Sequence, residues 1–445
     1  MKRNYTFNLL PFFISVFCFS CAFSQHISVQ NPGDQRDIQP AIQAAVDKAK
    51  DGDVLILPEG RFLVNKSIVI KKFISLKGKG LKKTILFRSE SVPDSVLKKR
   101  DWQCMINYEI NSDKSSNIII SDIGFIGKKP MVVEGDGGSA AQTEGVRMVQ
   151  CLDFIIERCR FEYFANAGIT VIHKDSLARG LIRKNQFYYN AGEGLGYGVV
   201  IYGTNKEWIP DPKFGSSNFI FVEDNTFDFH RHSIAAGGGG LYVFRYNTVV
   251  NNIAASGGHA IDTHEARKTP FGTRAVEIYN NKLVNTTYTD STNIIPGSKK
   301  SPSGASLESA GVAIRNGDAL VFNNEVVGYY YGTSMSNWYL GRTKQSYPVP
   351  YSPGYLSGLA LGPDHSGINE PESNGDAFFW NNTNTQFVTE GIDSSTAFHN
   401  YQPDWWKEGR DYHLAPKPGY KPYPYPYPTK KKSNLKWANF QKAIP

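Results

Sequence analysis

A short pattern recurring along the middle of the chain limits its architecture more than any other feature. An asparagine or similar small residue, then any residue, then an apolar one, appears at Cys159-Arg160-Phe161, Asn185-Gln186-Phe187, Asn225-Thr226-Phe227, Asn247-Thr248-Val249, Asn281-Lys282-Leu283 and Asn324-Glu325-Val326. The offsets are 26, 40, 22, 34 and 43 residues. The two shortest, 26 and 22, match one coil of a stacked solenoid, and the longer ones are the same coil with loops inserted. One coil cannot bury its apolar face alone, so many must stack into a continuous core. Asparagines in register at the turns can bond to the backbone and to one another. They are expected to form a structural ladder and to carry no chemistry.

A second strand family lies between the ladder positions. Ala167-Gly168-Ile169-Thr170-Val171-Ile172 aligns with Tyr197-Gly198-Val199-Val200-Ile201-Tyr202, His232-Ser233-Ile234-Ala235-Ala236-Gly237, His259-Ala260-Ile261-Asp262-Thr263-His264 and Ala310-Gly311-Val312-Ala313-Ile314-Arg315. Side chains alternate along a strand. The third and fifth positions are therefore expected inside, and the fourth and sixth outside. Thr170, Tyr202, Asp262, His264 and Arg315 should share one exposed face, with Tyr197, His232 and His259 bordering it.

The ends of the repeat have their own character. From Asp37 to Ala49, apolar residues at helical spacing with Pro40 in the first turn predict a short amphipathic helix. Short strand-like runs follow: Val54 to Leu57, Arg61 to Val64, Ser67 to Ile70 and Ile74 to Leu76. One helix before evenly spaced strands is expected to cap a solenoid. After Glu408-Gly409-Arg410-Asp411-Tyr412, proline stands at every other position from Pro422 to Pro428, which forbids a paired strand. An extended tail, packed along the solenoid or left mobile, is expected, ending in the solvated Lys430-Lys431-Lys432 run. The predicted fold is all-β, a right-handed parallel β-helix with an N-terminal capping helix and an extended Pro/Tyr-rich C-terminal tail. Its expected divisions are 1–24, 25–415 and 416–445.

The first division reads as a secretory leader. Met1-Lys2-Arg3-Asn4 precedes an apolar run from Leu9 to Phe23, and Ala22-Phe23-Ser24 fits a cleavage site. The run is short for a membrane span of ~20 residues. A lipoprotein alternative would modify Cys21, but Cys18 stands where a leucine is usual. A secreted or periplasmic protein without membrane insertion is expected. Cys104, Cys151 and Cys159 would then remain, an odd and irregular set that makes neither a disulfide framework nor a CxxC zinc site. Lysine plus arginine number 49 against 41 acids, a net charge of +8, or 47 − 41 = +6 without Lys2 and Arg3. The scattered excess favours an anionic partner without a nucleic-acid patch. A monomer is expected.

The segment from Asp37 to Gly80, with "GDVLILPEGRF" and "ISLKGKG", resembles the opening of secreted right-handed parallel β-helix proteins of the pectin-lyase-like superfamily. The ladder repeats extend the resemblance through nearly all of the remaining chain, and "EGRDY…KPGYKPYPYP" looks like that group's tail. The resemblance implies a polysaccharide lyase or an oligosaccharide dehydratase-like enzyme, on a fold that also carries hydrolases, epimerases and binding proteins. The NTD, DD, HG and RIK set of polygalacturonases and the arginine-proline pattern of pectate lyases are absent. No catalytic residue carries over from those subfamilies.

Candidate chemistry therefore comes from the chain itself. Four of the nine histidines, His230, His232, His259 and His264, fall within 35 residues, beside Arg231, Arg245 and Arg267. β-Elimination at a uronic acid needs a cation at the carboxylate, a base for the adjacent proton and an acid for the leaving oxygen. Arginine binds carboxylates through a fork, histidine titrates near neutrality, and tyrosine can give or take a proton. The expected base is His264 or His232 and the expected acid Tyr202. The carboxylate falls to Arg245, Arg231 or Arg315, and Asp262 would orient a histidine. Tyr197, Arg231, His259, Asp262 and Arg315 form the expected substrate-binding set, and the substrate is an anionic polysaccharide or oligosaccharide. A sugar leaving group makes a lyase and hydroxide a dehydratase.

Other readings stand beside this one. Any single histidine in a solenoid turn is more often structural, Arg245 can simply pair with Glu223 or Asp224, and Tyr197 and Tyr202 can simply pack. Hydrolysis would use Asp262, Glu265, Glu193 or Asp224 as a carboxylate pair. The elimination requires no cofactor, although a divalent cation on His230, His232, His259, Asp262 or His264 is an open variant. A non-catalytic carbohydrate-binding β-helix would use Trp208, Trp338, Trp405 and Trp406 for stacking and leave the histidines without a task. The Gly237 to Gly240 run lacks the lysine and helix of a phosphate loop, and reads as a turn or as room for a ligand.

Overall fold

The computed structural model describes residues 24–110, 112, 114–129, 142–173, 178–191, 195–203, 211–252, 259–264, 272–285, 310–315, 317–329, 331–336, 377–383, 387–390, 408–409 and 412–429. The leader up to residue 23, the Lys430–Lys432 run and Glu193, Trp208, Glu265, Arg267, Trp338, Trp405 and Trp406 lie outside the described residues.

Beyond the first pair, His26–Ser28 on Val54–Ile56, successive described strands do not pair with their chain neighbours. Each pairs in parallel with the strand one coil away, building sheets of 12, 10 and 9 strands that we name A, C and B. One coil shows the pattern: Phe154–Glu157 lies in sheet A, Arg160–Glu162 in B and Ala167–Ile172 in C. The next coil places Gly180–Arg183, Gln186–Tyr188 and Tyr197–Tyr202 directly on them. This is the right-handed parallel β-helix that the repeat predicts. The helix Gln39–Lys48 caps its first coil, burying Ile42, Ala45 and Val46. The Gln43 side chain both donates to and accepts from the backbone of Val69 at 3.1 Å, which pins the cap to sheet C.

The ladder works as a chain of backbone acceptors. The Oδ1 atoms of Asn185, Asn225, Asn247, Asn281 and Asn324 each accept the N–H of the ladder residue one coil earlier, at 2.9 to 3.1 Å. Asn382 adds a further step by accepting from Asn324. The residue before each ladder position turns through the left-handed region, with φ between 51° and 57° at Arg158, Lys184, Asp224, Tyr246, Asn280, Asn323 and Asn381. The buried asparagine side chains satisfy the backbone groups that this tight turn leaves unpaired. Two residues on, Phe161, Phe187 and Phe227 stack inside the core with centroids 5.2 and 4.6 Å apart. Cys104, Cys151 and Cys159 are free, buried thiols. Burial pushes the Cys151 thiol up to about 12, so it stays protonated and inert.

The tail is packed over its described length. Tyr412–His413 adds a last strand to sheet A beside Ala377–Phe378. Tyr425 then stacks on Tyr246 with centroids 3.6 Å apart, and Tyr423 and Tyr427 cover Phe221. Among the described residues no helix is long and apolar enough to cross a membrane.

Candidate active site on the outer face of sheet C

The two predicted sides of the second strand family are real. Ile169, Val171, Val199, Ile201, Ile234, Ile261, Val312 and Ile314 join the main core, whereas Ala167, Tyr197, Val200 and Ala235 form a separate cluster with Tyr202 against it. Strand register sets three outward columns. One runs Tyr197–His232, with His259 next in line, and one runs Thr170–Val200–Ala235–Asp262–Ala313. The third runs Ile172–Tyr202–Gly237 and is continued by His264 and Arg315. The expected openness of this face is corrected, because Thr170 is 1%, Asp262 0% and Arg315 5% exposed. Side chains on neighbouring columns close over one another and sink the face.

Asp262 is the hub. Arg315 Nε donates to its Oδ1 at 2.7 Å, and Arg315 Nη2 donates to Oδ2. His232 Nε2 and His264 Nε2 lie 3.3 and 3.1 Å from the same Oδ2. Burial opposes ionisation of Asp262, yet the Arg315 guanidinium outweighs it and holds the carboxyl well below its ordinary value. Asp262 is therefore a fixed negative charge facing the imidazoles.

The four histidines separate into different tasks. His264 keeps 22% of its side chain exposed and is the imidazole that an incoming molecule can reach. His232 is fully buried, and its Nδ1 donates to the carbonyl of His259 at 2.7 Å. Burial and then Arg231 hold its protonation well below the ordinary range. A sealed ring with one nitrogen bound to the backbone has no path to substrate, so the structure corrects His232 as a base. His259 Nδ1 accepts the N–H of Ala310 at 3.1 Å, and its ring stacks on His232 with centroids 5.9 Å apart. Burial lowers it to about 4, and it serves as a wall of the site. His230 lies elsewhere, buried at the end of the sheet B strand Thr226–His230, where its Nδ1 accepts the N–H of Asn190 at 3.2 Å.

Tyr202 and His264 flank Gly237. A Cβ built on that glycine would sit 3.7 Å from His264 Cβ and 3.8 Å from the Tyr202 ring. The missing side chain leaves a hollow between the phenol and the imidazole. Burial raises the Tyr202 phenol, which keeps it a neutral O–H donor. Tyr197 is 2% exposed and packs its ring 5.6 Å from His232 and 5.7 Å from His264, so it supports the histidines. Its hydroxyl accepts a long contact of 3.4 Å from Arg231 Nη1.

Two of the three proposed arginines are corrected. Arg245 belongs to sheet A, is fully buried and donates to Glu223 Oε2 at 2.9 and 2.7 Å. It also donates to the Tyr279 hydroxyl and to the carbonyls of Tyr423 and Pro424, fastening the tail. Arg315 gives its fork to Asp262 and not to a ligand. Arg231, partly exposed beside Tyr197, is the arginine left at the edge of the site.

The sequence reading missed a neighbouring polar group. Glu144 Oε2 accepts from Arg147 Nε at 2.6 Å, and Glu144 Oε1 accepts from Asn166 at 2.7 Å. Glu144 shares the column of Ala167 and Tyr197, and Arg147 that of Thr170. The signal was present, since Glu144-Gly145-Val146-Arg147 repeats the glycine-apolar pattern of the strand family one coil earlier.

Parallel coils in three sheets, with a titratable cluster on one outer face, place the chain among the right-handed parallel β-helix proteins of the pectin-lyase-like superfamily. The model of the family "Rhamnogalacturonase A/epimerase, pectate lyase-like" matches residues 29–284, and the chain belongs to that family. No curated protein matches the chain. Solved structures match at low identity. Geobacillus virus E2 ORF18 is 14% identical with a TM-score of 0.39, over 70% of this chain and 53% of that one, so the chain spans about half of its length. DFA-IIIase from Arthrobacter chlorophenolicus A6, without its lid, is 13% identical with a TM-score of 0.41, over 82% of this chain and 89% of that one. A mannuronic acid specific polysaccharide family 6 lyase from human gut microbiota is 14% identical with a TM-score of 0.38, covering 83% and 76%.

Proposed function

We propose that the protein is a carbon-oxygen lyase, secreted or periplasmic, that eliminates at uronic-acid residues of an anionic poly- or oligosaccharide. The observation that carries the reading is the charged Asp262 behind His264, with Tyr202 across the hollow at Gly237. His264 Nδ1 takes the proton next to the substrate carboxyl group, and the imidazolium that forms is stabilised by Asp262. The released electron pair becomes the new C=C bond and expels the oxygen on the adjacent carbon. That oxygen takes the Tyr202 proton and leaves. Arg231 at the edge of the site faces the substrate carboxylate, whose neutralisation makes the proton acidic. The net charge of 47 − 41 = +6 left without Lys2 and Arg3 favours a polyanion.

Incubation with uronate-containing glycans should release products with the ultraviolet absorbance of a conjugated unsaturated uronate. His264→Ala and Tyr202→Phe should each abolish it while circular dichroism stays native. New reducing ends without that absorbance mean hydrolysis, and overturn the elimination.

A further inference from the structure

The elimination leaves one atom of the site without a task. His232 Nδ1 donates to a carbonyl, which can only accept, so in the neutral ring Nε2 carries a lone pair. That Nε2 is buried, has no hydrogen-bond partner and points into the Asp262 hub. A lone pair 3.3 Å from a carboxylate oxygen is an unfavourable contact unless positive charge lies between them. His264 Nε2 is likewise close to Oδ2 without an aligned hydrogen bond. His232 Nε2, Asp262 Oδ2 and His264 Nε2 all lie within 4.8 Å of one another.

We propose that His232, Asp262 and His264 form a site for one divalent transition-metal ion of the zinc type, and that the bound ion silences the elimination centre. Ligands of a tetrahedral ion at ~2.0–2.1 Å stand ~3.3–3.4 Å apart, which the 3.1 and 3.3 Å nitrogen-oxygen separations approach. The supporting contacts are those such a site requires. The His259 carbonyl fixes the His232 tautomer, and Arg315 orients the Asp262 carboxylate by donating to both of its oxygens, Oδ2 included. Arg315 also offsets the carboxylate charge, so attraction rests on two imidazole nitrogens. That donor set selects zinc, cobalt or nickel over calcium or magnesium, which require several oxygens.

The silencing follows from tautomers and is the half of the proposal that rests on the elimination reading. A metal on His264 Nε2 leaves the single ring proton on Nδ1. The nitrogen that would take the substrate proton is then already protonated.

The test uses the full chain, stripped with a chelator and titrated with Co2+ and Zn2+. One equivalent of Co2+ should develop the visible absorption of a low-coordinate site, and Zn2+ should displace it. Excess Ca2+ should leave it unchanged. His264→Ala should weaken Zn2+ binding by more than about 100-fold, beyond the usual effect of losing a supporting contact. His264→Asn replaces it in the test should the alanine variant lose its native circular dichroism. No uptake of either ion, or undiminished uptake by the folded His264 variant, overturns the site. One equivalent of Zn2+ should also stop turnover, and chelator should restore it. Turnover that continues with the ion bound overturns the silencing and leaves the metal site standing, which separates the two.

Discussion

Arg315 meets Asp262 along the full edge of the carboxylate, with Nε donating to Oδ1 at 2.7 Å and Nη2 donating to Oδ2. The Asp262 side chain is fully buried and that of Arg315 is 6% exposed, so neither charge has water as a substitute partner. Arg315→Ala strands a buried carboxylate and should cost about 3–5 kcal/mol in urea unfolding. Replacing both partners with apolar residues of similar volume should recover much of that loss but none of the turnover. If Arg315→Ala costs less than about 1 kcal/mol, comparable to an exposed pair, the hub is not the sealed charge cluster described.

Gly237 gives a cleaner separation of activity from fold. Its backbone lies outside the left-handed region, and an added Cβ would meet His264 and Tyr202 at ordinary contact distances of 3.7 and 3.8 Å. Gly237→Ala should therefore keep or raise stability, by about 0.4–1 kcal/mol from the less flexible unfolded chain. The methyl group would occupy the space between phenol and imidazole. Turnover should fall at least about 10-fold, since a ~1 Å misplacement of reacting groups costs about 100-fold. Unchanged turnover in this variant would remove the hollow from the mechanism.

Particular residues show what the sequence could and could not disclose. The Asn-x-apolar repeat carried the fold because its spacing is a backbone requirement: the N–H after each turn through the left-handed region needs an acceptor, and the asparagine of the next coil supplies it. Strand alternation correctly put Asp262, His264, Tyr202 and Arg315 on one outer face. It could not show that Arg315 faces Asp262, since that pairing joins residues 53 positions apart in the chain. Arg245 deceived for the same reason. Its partners in the tail, Tyr423 and Pro424, lie 178 and 179 residues away, and only folding brings their carbonyls onto sheet A. His232 looked like a base because its burial depends on the imidazole and phenol stacked on either side of it. Glu144 and Arg147 stand on the coil before Ala167–Ile172, where the strand carries the same glycine-apolar pattern without a histidine or tyrosine to mark it.

His230 is a histidine standing where the neighbouring coil has an asparagine. Asn190 Oδ1 accepts the N–H of Phe164 at 3.0 Å, and His230 Nδ1 does the same for Asn190 at 3.2 Å. Burial lowers the imidazole to about 4, so it folds neutral. The unfolded chain binds a proton below about pH 6.5 and the folded chain does not, so stability falls as pH drops from 6.5 towards 4. The full effect is about 3 kcal/mol for a 2.5-unit difference at 1.36 kcal/mol each. His230→Asn should keep the strand end and remove the His230 share of this acid sensitivity, leaving that of His232 and His259, whereas His230→Ala should cost about 2–4 kcal/mol at neutral pH through a cavity and an unpaired N–H. Urea midpoints between pH 4 and 7 would reveal the difference, and parallel curves for wild type and His230→Asn would refute the role.

Glu277 gives the opposite slope in the same pH window, and it does so through the tail. Its Oε1 accepts the N–H of Gly215 at 2.7 Å, and its Oε2 accepts the Tyr420 hydroxyl at 2.5 Å. Burial raises the carboxyl to about 6, against the relief that these two donors supply. The folded chain therefore holds a proton that the unfolded chain releases near pH 4.5. Its stability contribution is complete below 4.5 and declines as pH rises through about 6, by about 2 kcal/mol in total. Glu277→Gln keeps a neutral side chain at every pH and should flatten that decline. Tyr420→Phe removes a donor that favours the charged form, so the carboxyl should rise further and the loss should extend above pH 6. Because His230, His232 and His259 act against it, the quantity to compare is the difference between wild type and Glu277→Gln, in which the histidine contributions cancel. That difference should fall by about 2 kcal/mol between pH 4.5 and 6.5. A profile that Glu277→Gln leaves unchanged would mean that the carboxyl does not couple tail docking to pH.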